Sequence, residues 1–201
     1  MGVTLFTTCF GEYGRFLDGW LEAAVQSGAD ELLVVSDVPR PVRDGVRLVV
    51  SSTDAVYRES GFRNIACEHG REDWLWQIDV DDRVFPGATK MVDGVEADVL
   101  QVGYHRSDGF VHIPRVIPND QYLRSGGNSY VSGSPFRRTL FDQVQFPDVA
   151  WSDWGFWRLA ARAGATFAAA GEAAYRYRWE PGDSVTGLYS DPKHIRDVLA
   201  L

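Results

Sequence analysis

The stretch that most constrains the fold is Trp74-Leu75-Trp76-Gln77-Ile78, which is followed at once by Asp79, Asp81 and Asp82. The apolar run predicts a buried β-strand. Strand periodicity places Asp79 and Asp81 on the same side of the chain. Two carboxylates ~5 Å apart, at an effective dielectric constant of ~20, repel each other by roughly 3 kcal/mol. A bound divalent cation would turn that repulsion into attraction.

Oxygen ligands at a strand end favour Mg²⁺ or Mn²⁺, which also bind phosphate oxygens. In α/β sheets the carboxyl edge of the strands is the usual place for such a ligand.

The alternative interpretation of the three aspartates is a solvated acidic turn without a metal. Two other motifs fit poorly. An EF-hand loop starting at Asp79 needs glycine sixth and glutamate twelfth, where this chain has Val84 and Lys90. A haloacid dehalogenase motif would need Thr or Val at Arg83.

The length and net charge of the chain limit the classes of protein to which it can belong. The 201 residues carry a net charge of −8, which argues against a general nucleic-acid binder because phosphate needs basic surface. No apolar run approaches the ~20 residues of a membrane span, and the N-terminus lacks the basic region and apolar run that predict a signal peptide. We therefore expect a single cytoplasmic domain without a transmembrane segment. Cys9 and Cys67 give no disulfide framework and are expected in the core.

Strands and helices alternate over the first 80 residues. Continuous apolar runs are typical of strands buried in a parallel sheet, and this alternation predicts an α/β fold with a mostly parallel sheet. The predicted strands are Val3–Thr8, Glu31–Asp37, Val46–Val50 and Trp74–Ile78, and the predicted helices are Phe16–Val25 and Gly61–Gly70.

The second half has a less regular pattern. Pro86 marks the start of a helix to about Val92, and a turn at residues 106–109 joins strands at 98–104 and 110–113. Residues 114–135 form a long Pro-, Gly-, Asn- and Ser-rich loop, which is usually functional. A helix begins in the Trp151–Trp154 segment, with Ser152 as its cap, and runs to about Ala163. Strands at 166–170 and 173–179 follow it. Residues 194–201 form a terminal helix.

An ordered set of motifs resembles the family-two inverting glycosyltransferases. Its members are a strand ending in Asp37, a helix with Arg63-Asn64, the Asp79-to-Asp82 motif followed by Pro86, Arg137-Arg138, Ser152-Asp153-Trp154 leading through Arg158-Leu159 to Gly164, and Tyr175-Arg176-Tyr177-Arg178 before Ser184-Val185-Thr186. Each motif alone is weak, and the order and spacing carry the resemblance, which covers residues 3 to 188.

The resemblance implies one A-type glycosyltransferase domain over residues 1–201, with a Rossmann-like, mostly parallel sheet flanked by helices. Residues 1–85 would bind the nucleotide, 86–190 would form an α+β acceptor half, and 191–201 a C-terminal tail. The implied reaction is inverting transfer from a nucleotide-diphosphate sugar, with a UDP-sugar favoured. The cofactor would be Mn²⁺ or Mg²⁺, and the acceptor hydroxyl would belong to a glycan, a protein or a small molecule.

The resemblance also implies residue roles. Asp153 would be the general base, while Thr7, Thr8, Asp37, Arg63 and Asp79 would bind the donor. Asp79 and Asp81 would hold the metal, with His194 as a candidate third ligand, and Trp151 and Trp154 would meet the acceptor. Two positions depart from the family. Ser152 replaces a common Glu before the base, and Trp179 replaces a common His after the last strand.

Other interpretations stay open at this point. Asp37 could simply end a strand, Arg63 could be a surface helix residue, and Asp153 could be a first-turn charge favoured by the helix dipole. A degenerate, non-catalytic carbohydrate-binding or scaffold module of the same fold is one alternative function. A sugar-phosphate nucleotidyltransferase is another, although Gly11-Glu12-Tyr13-Gly14-Arg15 matches its Gly-rich loop poorly.

Overall fold

The structure, a computed structural model, describes residues 1–180 and 191–201 of the chain. Its strands are β1 Val3–Cys9, β2 Glu31–Ser36, β3 Val46–Val50, β4 Trp74–Gln77, β5 Arg83–Val84, β6 Val99–Arg106, β7 Val111–His112, β8 Phe136–Arg137 and β9 Phe167–Tyr177. Its α-helices are α1 Leu17–Ala24, α2 Arg58–His69, α3 Asn119–Arg124, α4 Arg138–Phe141, α5 Ser152–Arg162 and α6 Pro192–Ala200, with 3-10 helices at Gly11–Phe16 and Ala88–Val92.

The first half forms a parallel sheet in the order β3-β2-β1-β4. Its central strand β1 is buried along its whole length. Successive side chains point to opposite faces, so Leu5 joins the core on the α1 side with Trp20, whereas Phe6 joins the core on the α2 side with Phe62. Helices on both faces of a parallel sheet give the expected α/β layering.

The second half extends this sheet with mixed pairing. Strand β8 pairs antiparallel with β4 and with β6, β9 runs parallel to β6, and β5 pairs antiparallel with β9. Strand β7 returns alongside β6 as the predicted hairpin, with Tyr104 opposite His112. The sheet is therefore continuous through both halves in the described residues.

Three local predictions were wrong. The segment at 114–135 contains α3, whose Tyr122 is fully buried, so burial of one aromatic ring supports a helix where the composition predicted only a loop. The two late strands are one strand, β9, with register shifts opposite Gly103. Helix α2 begins at Arg58, three residues before the predicted start at Gly61.

Both cysteines are free and buried, as predicted. No helix in the described ranges is both long enough and apolar enough to cross a membrane. Ser184-Val185-Thr186, which the sequence places after the last strand, lie outside the described residues.

Candidate functional site

A cleft of about 730 Å³ opens at the carboxyl ends of β1 and β4. Six of the predicted site residues line it, namely Thr8, Arg63, Asp79, Asp81, Trp151 and Asp153. The sheet brings the aspartates at the end of β4 to one wall, and the start of α5 brings Asp153 to another. Residues separated by more than 70 positions in sequence therefore share one cavity.

Asp79 and Asp81 belong to a tight turn, the carboxylate turn, over residues 79–82. The Asp82 N–H closes it by donating to the Asp79 carbonyl oxygen at 2.9 Å, and the Gln77 amide donates to Asp79 Oδ1 at 2.7 Å. Burial, reinforced by the charge of Asp79, raises the pKa of Asp81 above its ordinary value. A cation at this turn would therefore meet the partly buried carboxylate of Asp81 beside the more exposed carboxylate of Asp79.

Asp82 is a buried carboxylate that sequence reasoning did not assign a role. It is 3% exposed, and its Oδ1 accepts the Arg178 N–H at 2.8 Å. Burial and the charges of Asp79 and Asp81 raise the pKa of Asp82 well above the usual range. Its hydrogen bond ties the carboxylate turn to the end of β9. The Arg178 guanidinium lies 3.5 Å from Asp81 Oδ2, so an arginine also faces the acidic wall.

Arg63 lies on α2, where it is 3% exposed rather than on the surface. Its Nη1 donates to Ser152 Oγ at 2.7 Å, and its Nη2 pairs with Glu59 and lies 3.8 Å from Asp79 Oδ1. We call this set, Arg63 with Glu59, Asp79 and Ser152, the Arg63 bridge. It connects the carboxylate turn to the first residue of α5.

Glu59, the second functional candidate that sequence reasoning missed, also lines the cleft. Burial raises its pKa to about 7, and the charges of Asp79, Asp153 and Asp81 add to that rise while Arg63 opposes it. The i, i+4 spacing of Glu59 and Arg63 on one helix is a sequence signal that could have identified the pair.

Asp153 lies in the first turn of α5. The predicted cap was wrong, because Trp151 holds the N-cap position and Ser152 is already helical. The Ser152 hydroxyl accepts from Arg63 instead of capping the helix. Trp151 lines the cleft beside Asp153, whereas Trp154 is 6% exposed and packs in the core on the α2 side of the sheet.

Asp37 lies just past β2 and outside the lining of the cleft. It accepts the Gly11 N–H at 3.2 Å and pairs with Arg58 at 3.2 Å and Arg40 at 3.4 Å. Although burial acts to raise it, the hydrogen bonds from Gly11, Arg58 and Arg40 lower the pKa of Asp37. Arg58 lines the cleft, so Asp37 contacts the cavity wall through that side chain.

The other two predicted residues lie elsewhere. Thr7 is buried within β1, next to the cleft-lining Thr8. The His194 Nδ1 lies 3.2 Å from the Tyr57 hydroxyl, on α6. Within residues 1–180 and 191–201, no group of three or more His, Cys, Asp or Glu side chains is arranged to hold a metal ion. A metal at Asp79 and Asp81 would therefore take its further ligands from groups other than a third described His, Cys, Asp or Glu side chain.

Aromatic rings line the part of the cleft formed by β6, β7 and the end of β9. Tyr104 stacks on His112 with ring centroids 5.0 Å apart, and it meets Tyr177 edge-on at 5.3 Å. The Arg106 guanidinium lies 4.5 Å from the Trp179 ring centroid. The cleft thus has an acidic end, an aromatic wall and a carboxylate on a helix start, a combination suited to a polyhydroxylated ligand carrying phosphate.

Comparison with solved structures identifies the fold. The structure of S. aureus TarS 1–349 in complex with UDP-GlcNAc matches with a TM-score of 0.73 and 17% identity, over 98% of this chain and 64% of that one. The Pyrobaculum calidifontis mannosyltransferase in complex with GDP-Man and Mn²⁺ matches with a TM-score of 0.60 and 15% identity, over 90% of this chain and 58% of that one. No protein-family model and no curated protein sequence matches the chain.

A manganese complex of a Mycobacterium tuberculosis protein, Rv0371C, matches with a TM-score of 0.51 and 16% identity over 100% of this chain and 99% of that one. This chain spans less than two thirds of the TarS structure and of the mannosyltransferase structure. At identities of 15–17% the TarS and mannosyltransferase matches show the fold, and that fold is the A-type glycosyltransferase fold. The predicted fold class is confirmed.

Proposed function

We propose that the protein is a metal-dependent inverting glycosyltransferase that moves a sugar from a nucleotide-diphosphate sugar to an acceptor hydroxyl. The observation that carries the proposal is the convergence of Asp79, Asp81 and Asp153 on one cleft at the carboxyl edge of the sheet. The fold adds support, because structures of that fold were obtained with UDP-GlcNAc and with GDP-Man and Mn²⁺. A UDP-sugar is our preferred donor.

The chemistry of the carboxylate turn fits a hard divalent cation. Asp79 and Asp81 offer oxygen ligands, and burial makes an unneutralised charge on Asp81 costly. These two residues would hold Mn²⁺ or Mg²⁺, whose charge stabilises a departing diphosphate. Diphosphate oxygens and water would complete the ligand set. Thr8, Arg58 and Arg178 line the same end of the cleft and are placed to contact the nucleotide part.

Asp153 is the proposed general base. Its carboxylate would take the proton of the acceptor hydroxyl as that oxygen attacks the anomeric carbon. The new bond forms between acceptor oxygen and anomeric carbon while the bond to the diphosphate oxygen breaks, and the leaving group departs with the electron pair. A single displacement of this kind inverts the anomeric centre. Trp151, beside the base, is placed to stack on the acceptor.

Calorimetric titration of UDP and of GDP, each with Mn²⁺ and again with EDTA, tests the donor side. We expect metal-dependent binding of one nucleotide, with UDP the tighter. Incubation with the corresponding nucleotide sugars, followed by NMR of the anomeric proton in the product, tests the stereochemistry. Folded protein that binds neither nucleotide, or a product that retains the donor's anomeric configuration, contradicts the proposal.

One observation favours a second candidate, a non-catalytic carbohydrate-binding module. The Arg178 guanidinium faces Asp81 at 3.5 Å, so the acidic wall has a protein cation beside it. A glycan-array screen, run beside a nucleotide-sugar hydrolysis assay, separates the two. Glycan binding without any donor turnover would favour the module.

A further inference from the structure

We propose that Arg63 is a positioning residue, which holds the base-bearing start of α5 at a fixed distance from the carboxylate turn and is itself oriented by Glu59. This inference rests on the proposed transferase function. It assigns Arg63 a role different from the donor contact that the sequence resemblance implies.

The Arg63 guanidinium contacts two separate parts of the site. Nη1 donates to Ser152 Oγ at 2.7 Å, and Ser152 directly precedes Asp153. Nη2 faces Glu59 and lies 3.8 Å from Asp79 Oδ1. Because the guanidinium is planar and rigid, these contacts fix the separation between Ser152 Oγ and the Asp79 carboxylate. The two carboxylates with proposed roles in transfer, Asp79 and Asp153, are thereby linked through one side chain.

Helix α2 holds the segment that leads into α5 at two further points. The Asn64 amide donates to the Phe146 carbonyl at 3.0 Å and accepts the Phe146 N–H at 2.9 Å. The Asp148 carboxylate accepts the Val56 and Tyr57 N–H groups at 2.9 and 2.8 Å. Residues 146–152 therefore follow α2 closely, and Arg63 makes the last contact before the base.

Burial fixes the orientation of Arg63. The side chain is 3% exposed, and its Cζ lies 5.7 Å from the Phe146 ring centroid. Glu59, one helical turn earlier, pairs with Nη2 and gives the buried guanidinium an acidic partner. Both terminal nitrogens are already engaged by protein groups, so the geometry suits a fixed spacer better than a group that reaches for a nucleotide.

The test compares Ser152→Ala, Ser152→Thr and Arg63→Lys with the wild type, and Ser27→Ala, which removes the hydroxyl of a buried serine outside the cleft lining, is the matched control. Nucleotide affinity is measured by calorimetry with Mn²⁺, and transfer by steady-state kinetics. We expect Ser152→Ala to lower kcat by a factor of ~10 or more, since small misplacements of reacting groups can cost up to ~100-fold. Nucleotide affinity should stay within about twofold in all variants. Ser152→Thr, which keeps the hydroxyl, should recover most of the rate.

Amide hydrogen exchange without donor gives a readout independent of catalysis. Loss of the Ser152 hydroxyl should speed exchange in the first turn of α5, while Ser27→Ala should leave exchange in that turn unchanged. Unchanged protection in Ser152→Ala, or a tenfold or larger loss of nucleotide affinity in Arg63→Lys, overturns the positioning role. A wild-type protein that binds no nucleotide overturns the transferase function instead, and the exchange result then decides the role of Arg63 alone.

Discussion

The two halves of the molecule build their walls of the cleft in different ways. The carboxylate turn follows β4, a strand buried at all four residues within a parallel sheet. The wall from the second half combines residues of β6, β7 and β9 with loops and the start of α5. Main-chain hydrogen bonds of a regular sheet therefore position Asp79 and Asp81, whereas side-chain contacts to α2 position Asp153. We expect substitutions in the first half to impair folding and donor binding, and those in the second half to impair acceptor chemistry.

The largest expected effects separate the two walls by function. Asp81→Asn should weaken Mn²⁺-dependent nucleotide binding and lower transfer by ~10²–10³-fold, because a group that stabilises the leaving charge is lost. Asp153→Asn should lower transfer by ~10²–10⁴-fold through loss of the base, with nucleotide affinity unchanged. Calorimetry and steady-state kinetics on both variants check this. Equal loss of nucleotide affinity in the two variants would contradict the division between the walls.

A pair of core and surface substitutions tests the difference in stability. Leu33 in β2 is fully buried, so Leu33→Ala should lower the free energy of unfolding by about 2–5 kcal/mol. Val111 in β7 is 48% exposed, and Val111→Ala should change it by less than about 0.5 kcal/mol. Urea denaturation followed by tryptophan fluorescence measures both. Similar losses for the two variants would show that the hairpin is as strongly coupled to folding as the central sheet.

Trp151 allows a finer test of the acceptor wall. Trp151→Ala should raise the acceptor KM by a factor of about 3 to 10, since an aromatic stacking contact contributes about 0.5–1.5 kcal/mol. The nucleotide affinity should not change, and Trp151→Phe should retain part of the acceptor affinity. An unchanged acceptor KM in Trp151→Ala would remove this residue from the acceptor site.

The smallest effect concerns pH. Burial raises the pKa of Glu59 to about 7, above the ordinary value of a glutamate in an unfolded chain. A raised pKa means that the folded protein favours the protonated Glu59 carboxyl. The resulting contribution to the free energy of unfolding is complete below the unfolded pKa of about 4.3 and is lost as the pH rises through 7. The melting temperature should therefore fall more between pH 5 and pH 8 in the wild type than in Glu59→Gln. Scanning calorimetry measures both proteins across this pH range. If their melting temperatures change in parallel, Glu59 does not contribute to the pH dependence of stability.

Local sequence determined much of the first half. Continuous apolar runs led to β1, β2, β3 and β4 within one residue at each end, because a strand buried on both faces must be apolar throughout. The acidic motif after Ile78 likewise identified the end of the cleft that carries Asp79 and Asp81. The second half was less predictable, since tertiary contacts such as the burial of Tyr122 decide its elements. The helix α3 and the unbroken β9 were missed for that reason.

By itself, the sequence determined an α/β sheet, the position of the carboxylate motif at a strand end and the helical start that carries Asp153. Tertiary structure alone decided which partners these residues have. It buries Asp82 against Arg178, places Trp154 in the core while Trp151 lines the cleft, and uses Ser152 as an acceptor for Arg63 rather than as a cap. Sequence periodicity reports which face of an element is buried, whereas contacts between residues 80 to 100 positions apart follow from how the chain folds back on itself.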